Sequence, residues 1–200
     1  MISFLPSLNR SKSFQIAEET VKLAAEYNCP GLDLSDSPLK GDMKKLAPLL
    51  TYAKKFHGLK LALHCAEFDL PDEKDTEILL FDVPIDRIGH GTFISKNKTF
   101  VDHVLAEKIP IECCLTSNLV SQTCKDFKSH HFKFWYDQSH PVSICTDDKG
   151  VFETTLNQEY EIVKNTFNLD IPDLVKISKS SIQQSFFDQN DKKSVVEKYF

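Results

Sequence analysis

The stretch Leu59-Lys60-Leu61-Ala62-Leu63-His64-Cys65-Ala66 carries the pattern on which the fold turns. Side chains alternate faces along a strand, so Leu59, Leu61 and Leu63 share one face while Ala62 and His64 share the other. Bulky residues on one parity suit an outer layer of helices, and small or polar residues on the other suit a crowded interior. The same asymmetry returns where Leu32 and Leu34 oppose Asp33 and Ser35, and where Val142 and Ile144 oppose Ser143, Cys145 and Asp147. The polar set is then expected to point inward and gather at strand C-termini, where the active sites of barrels lie.

Around this stretch, strand-like runs alternate with helix-like runs along the chain. Residues 2–9 precede a helical pattern over 14–28, 31–35 precede 42–56, and 59–66 precede a short acidic segment to residue 81. Residues 87–91 then precede 99–107, 110–117 precede a long segment to His140, and 142–146 precede 157–168 and a second helix from Pro172. These six β-α units predict an α/β fold with a parallel sheet covered by helices, in a single domain over residues 1–200. A (β/α)8 TIM barrel needs eight strands in about 250 residues. The chain is therefore expected to form an incomplete barrel whose first strands are missing, with residues 2–9 as a barrel strand directly after Met1. A doubly wound open sheet is the competing architecture, but no glycine-rich phosphate fingerprint follows the first strand.

Composition narrows the class of function. Of 200 residues, 41% are hydrophobic and 26% charged, ordinary for a globular protein, and the net charge is −5 with no basic block. That balance argues against a nucleic-acid partner and for a small-molecule one. No run approaches the roughly 20 apolar residues of a membrane span, and the N-terminus lacks the basic start of a signal peptide, so a cytoplasmic protein without membrane association is expected. Cys29, Cys65, Cys113, Cys114, Cys124 and Cys145 sit mostly in apolar strand-like runs without C-x-x-C spacing, which reads as reduced core thiols. Oligomeric state leaves no trace in the sequence.

Three segments end predicted strands and carry chemistry: His64-Cys65-Ala66-Glu67, Arg87-Ile88-Gly89-His90-Gly91 and Cys145-Thr146-Asp147-Asp148-Lys149-Gly150. Hydrolysis at an aromatic amine needs an activated water, a donor to protonate the ring nitrogen and a base to orient the water. His64 and Asp147 have the ligand types of a zinc site, Glu67 can donate a proton, His90 can steer hydroxide, and Asp148 is left for a purine edge. Adjacent Asp147 and Asp148 would repel each other near a core unless a cation sat beside them. The bland readings apply elsewhere: Phe132, Phe134, Trp135 and Tyr136 as packing or a pocket wall, His57, His103 and His140 as structural, and the alternating charges of 191–198 as a solvated helix face. Thr116, Ser117 and Asn118, at a late strand end, are candidates to hold a phosphate, as barrel loops after a late strand often do.

At these residues the sequence resembles the adenosine and AMP deaminase superfamily, and within it the N6-methyl-AMP deaminase branch. The resemblance covers nearly the whole chain and rests on Gly31-Leu-Asp-Leu-Ser35, Leu61-Ala-Leu-His64 with Glu67, Asp86-Arg-Ile-Gly-His-Gly-Thr92, Leu115-Thr-Ser-Asn118 and Ile144-Cys-Thr-Asp-Asp-Lys-Gly-Val151. It implies zinc-dependent deamination of a purine nucleotide, N6-methyl-AMP giving IMP and methylamine. His64 and Asp147 then match two zinc ligands, Glu67 the donor to purine N1, His90 the group assisting hydroxide attack and Asp148 a purine contact. The family's other two ligands come from an H-x-H motif that this chain lacks, since His130-His131 has no spacer. Lys149-Gly150 favours the N6-methyl-AMP branch over the adenosine and AMP branches, which carry proline there. Two substrate-facing positions depart from the family pattern: Asp36 replaces a glycine, and Asn9 replaces an aspartate. The rival reading is a shorter, non-catalytic form of the deaminase.

Overall fold

A computed structural model describes residues 2–200 of the chain. Six parallel strands form one sheet in chain order: Ser7–Asn9 (β1), Gly31–Ser35 (β2), Lys60–Cys65 (β3), Arg87–His90 (β4), Ile111–Cys113 (β5) and Val142–Ile144 (β6). Crossover helices Phe14–Glu26 (α1), Met43–His57 (α2), Lys74–Phe81 (α3) and Lys98–Glu107 (α4) join the first five strands. Between β5 and β6 lie Leu115–Val120 (α5) and Phe132–Asp137 (α6). Lys149–Phe152 (α7), Leu156–Phe167 (α8), Ile171–Gln184 (α9) and Gln189–Tyr199 (α10) complete the chain. Strict sequential order with parallel pairing is the strand arrangement of a (β/α) barrel with part of its circle open.

Parity explains the packing. Leu61 and Leu63 of β3, with Leu32 and Leu34 of β2, are fully buried in the same core as Val21 and Ala24 of α1 and Leu50 and Ala53 of α2. Local signals agree with the crossovers. Asp42 caps α2 through Lys44 N–H, and Gly58, in the left-handed region at φ 69°, stops it. Asn97 caps α4 through Thr99 N–H.

Two element limits differ most from the sequence reading. The first strand is only Ser7–Asn9 rather than 2–9, and Ile2 and Phe4 are 97% and 72% exposed, so apolar character there does not mark burial. The fifth strand stops at Cys113, and Thr116, Ser117 and Asn118, expected at its end, belong instead to α5. Leu115 continues the apolar alternation and so extends the strand pattern one turn too far. The aromatic cluster divides: Phe132 and Trp135 are fully buried, whereas Phe134 is exposed. Among the described residues, no helix is long and apolar enough to cross a membrane.

Candidate active site

At the C-terminal rim of the sheet four strand ends leave regular geometry at a residue in the left-handed region. These are Asp36 (φ 78°) after β2, Ala66 (φ 49°) after β3, His90 (φ 60°) at the end of β4 and Asp147 (φ 54°) after β6. Such backbone costs free energy in residues other than glycine and persists where the surroundings enforce it. Its effect is plain at His90, which pairs in register with Cys65, an outward-facing buried thiol. Alternation alone would turn His90 outward too, and the positive φ swings it over the rim. Gly89 leaves room for this: a Cβ there would lie 3.3 Å from the Cα of His64 and 3.4 Å from its Nδ1.

The result is a cluster. One donor atom each from His64, His90 and Asp147 lie within 4.8 Å of one another. His90 Nε2 stands 3.7 Å from Asp147 Oδ2 and 3.9 Å from Glu67 Oε1, and the His64 and His90 rings are 5.0 Å apart. Two further residues, absent from the sequence-based site, hold these groups. Asp33 Oδ1 lies 3.0 Å from His64 Nδ1, and the Ser117 hydroxyl donates to Asp147 Oδ2 at 2.8 Å. The parity of β2 already turned Asp33 inward, in register with Ala62, two residues before His64; nothing in the sequence pointed Ser117 at Asp147 in particular.

Electrostatics separates the groups. Burial pushes the His64 imidazole down, but the hydrogen bond it donates to Asp33 and the charges of Asp33, Glu67 and Asp147 outweigh it and raise it to about 9. Burial lowers His90 to about 4, with the neighbouring His64 charge adding to the effect. Burial raises the Glu67 carboxyl, the His64 charge opposing and Asp147 reinforcing the shift. The field that holds a proton on His64 favours any cation at that spot. With Nδ1 engaged by Asp33, a metal that displaced the other ring proton would find Nε2 as the remaining donor of His64, and with Asp147 in the same cluster this donor set suits zinc.

The cluster opens into a cavity of about 750 Å³, large enough for a nucleotide, lined by His64, Glu67, His90 and Asp147 together with Asp36, Asp148 and Phe152. Asp148 and Asp36 thus share the cavity with the cluster. Asn9 lies outside that lining, its amide oxygen accepting Ser11 N–H at 2.9 Å. Of the late-strand-end trio, Ser117 reaches the cavity, Thr116 turns away to Glu159, and Asn118 is buried and bonded to Thr92, Thr123 and His130. His130 and His131 stack beneath the site as core residues, both neutral-favouring because burial lowers them, His130 to about 3.

The sequence profile of the family described as adenosine deaminase matches residues 2–199. The chain belongs to the adenosine deaminase family. It is 44% identical over 209 residues to the N6-methyl-AMP deaminase of Bos taurus, covering 99% of this chain and 58% of that protein. The apo structure of the N6-methyl-AMP deaminase from Arabidopsis thaliana superposes with a TM-score of 0.89 at 34% identity, over 96% of this chain and 56% of that one. A crystal structure of the Arabidopsis protein ADAL complexed with IMP matches with the same TM-score at 33% identity and the same coverage. The chain therefore spans a little over half the length of these relatives, with the β/α architecture it shares with them.

Proposed function

We propose that this chain carries the proton-transfer groups and part of the metal site of a deaminase acting on a purine nucleotide, with N6-methyl-AMP converted to IMP and methylamine. The observation that carries the reading is the convergence of a raised carboxyl, Glu67, two imidazoles and Asp147 on one nucleotide-sized cavity. Its support is the identity to N6-methyl-AMP deaminases and the likeness to a relative crystallised with IMP.

The donor chemistry assigns His64 and Asp147 as zinc ligands in this scheme. Zinc bound there supplies Lewis-acid activation of the attacking water. Glu67, kept protonated more readily than an ordinary carboxyl, gives its proton to the purine ring nitrogen as water adds to the adjacent carbon. His90, kept neutral, accepts a hydrogen bond from that water and orients it, with Asp147 3.7 Å away to share the proton. The proton taken from the water passes through Asp147 and His90 to the substituent nitrogen, so that collapse expels neutral methylamine from the same carbon, and the hydroxyl proton left on that carbon's oxygen returns to Glu67. In this scheme Asp148 contacts the purine edge, and Asp36, a carboxylate in the same lining, crowds the nucleotide; Asn9 acts on substrate only through its hydrogen bond to Asp36. The protein acts in the cytoplasm on a free nucleotide rather than on nucleic acid.

The test is direct. A protein extended to the length of the relatives, loaded with zinc, should release IMP from N6-methyl-AMP, and a strong chelator should stop the release until zinc is restored. Turnover that survives complete zinc removal would overturn the metal assignment; absence of IMP under all metal loadings would overturn the reaction. The 200-residue chain should hold zinc weakly, because His64 and Asp147 leave the remaining coordination to water.

A further inference from the structure

Glu159, in the first turn of α8, is 0% exposed and sits away from the cavity, yet every donor it meets leads back to Asp147. Its Oε2 accepts the Thr116 backbone N–H at 3.1 Å. Its Oε1 accepts both the Thr116 hydroxyl and, at 2.7 Å, the hydroxyl of Thr154, itself only 4% exposed. Thr116 immediately precedes Ser117, the donor to Asp147 Oδ2. Thr154 closes the short segment through α7 that starts at Asp147-Asp148. One carboxyl thus ties together the two segments that meet at Asp147.

That tie matters because Asp147 sits at φ 54°, a conformation that surrounding contacts must impose. We propose that Glu159 is a positioning residue: by clamping Thr116 and Thr154 it holds the Ser117 hydroxyl and the left-handed Asp147 in register, so that the Asp147 carboxyl faces His64 and His90. A buried carboxyl serving packing alone would need its oxygens supplied with donors, but would have no reason to draw them from both sides of the same cavity residue. The proposal rests on the reading of Asp147 as a ligand only for its effect on metal; its effect on geometry is independent of that reading.

The test uses Thr154→Val, which cuts one arm, Thr154→Ser, which keeps the hydroxyl, and Glu159→Gln. Val163→Ala is the control, because it loosens the fully buried core contact of the same helix without touching the clamp. Hydrogen exchange on the folded chain is the first readout. Backbone amides of residues 116–118 and 147–152 should exchange about three- to tenfold faster in Thr154→Val and Glu159→Gln than in Val163→Ala, the factor expected for one net hydrogen bond, while Thr154→Ser matches the parent. The second readout is the zinc dissociation constant by chelator competition, expected to rise by a similar factor in the same two variants. Equal exchange in Thr154→Val and Val163→Ala overturns the clamp. Faster exchange with unchanged zinc affinity keeps the clamp and removes Asp147 from the metal site, so the two readings fail separately. Should Glu159→Gln not fold, the Thr154 pair decides alone.

Discussion

At the N-terminal end of the sheet Arg87 stands 2.5 Å from Glu112, donates to the carbonyl of Gln184 at 3.0 Å, and lies over the Phe186 ring. Beside it Lys54 and Lys60 neutralise Asp86. Three residues further along the same strand, at the other end, His90 stands among His64, Glu67 and Asp147 with no lysine or arginine in the cavity lining. Both ends are ionisable and partly buried, but one is paired by opposite charges and the other is a crowd of acids and imidazoles in which His64 and Glu67 are raised and His90 is lowered. The paired end makes sense as stability, and the crowded end only as chemistry. Backbone divides the same way: left-handed residues at the lower end, Gly58 and Lys108, close helices α2 and α4, whereas those at the upper end, Ala66, His90 and Asp147, end strands and aim side chains.

The largest effect should come from the upper end. In the zinc-loaded, relative-length protein, Glu67→Gln should lower kcat by about 10²- to 10⁴-fold with zinc content near parental, because it removes the proton and keeps the shape. Asp147→Asn should lower zinc content and activity together, since in the proposed scheme it weakens a ligand. Parallel metal analysis and IMP release distinguish them; a Glu67→Gln protein with near-parental turnover takes Glu67 out of the mechanism.

The lower end should respond in stability instead. Arg87→Met leaves Glu112 without its partner, and because the two side chains remain 13% and 25% exposed the loss is expected near 2–3 kcal/mol, below that of a fully buried pair. The Nε contact is a charge contact rather than an aligned hydrogen bond, which favours the lower part of that range. Urea unfolding reads the loss, and the zinc affinity of the folded variant should stay unchanged. A variant that loses zinc before it loses stability would show that the two ends are coupled through β4.

The division of the sheet was largely visible in the sequence, for reasons that also mark its limits. Burial on one parity is a period-two signal, so β2, β3 and β6 and the inward face of His64 could be read from Leu32, Leu34, Leu61, Leu63, Val142 and Ile144. His90 could be picked by its glycines and its place at a strand end, but its direction depends on one positive φ that no side-chain pattern encodes. Asp33 was turned the right way by parity, yet its pairing with His64 needs the register of β2 on β3, which only the folded sheet sets. Ser117 and Glu159 act through α5 and α8, whose packing follows no local rule.

Between the two ends lies His130, whose Nδ1 accepts the Phe132 N–H at 3.0 Å and whose Nε2 faces Asn118 Oδ1 at 3.0 Å, a pattern that requires a neutral ring. Burial lowers it from 6.5 to about 3 in the folded protein. Above the ordinary value both states are neutral and nothing is lost. Below it the unfolded chain takes a proton that the folded chain refuses, so stability falls as pH drops from about 6.5 toward 3, by about 1.4 kcal/mol per pH unit for this histidine. His131, also lowered by burial, steepens the slope further. Urea midpoints between pH 7 and pH 5 should show the decline, and His130→Gln should flatten it by about one proton; an unchanged slope would mean that His130 is not the group that titrates.

The smallest effect tests whether the left-handed residues of the two ends differ in purpose. Lys108 follows α4 at φ 52° with its side chain in solvent, and its N–H caps the helix at the Val104 carbonyl. Glycine reaches that conformation without the roughly 1–2 kcal/mol that a Cβ costs, although it brings about 0.5–1 kcal/mol of extra chain entropy to the unfolded state. Lys108→Gly should therefore stabilise the fold by about 0.5–1 kcal/mol, raising the melting temperature by about 1–4 °C, with no change in zinc affinity. Lys108→Ala keeps the Cβ and should gain nothing. At His90 the same glycine would relieve the same backbone and yet remove the imidazole on which the cavity is centred, so relief of strain and loss of function would arrive together. If Lys108→Gly were no more stable than the parent, positive φ would be nearly free in this fold, and the left-handed strand ends at Ala66, His90 and Asp147 would need no clamp to hold them.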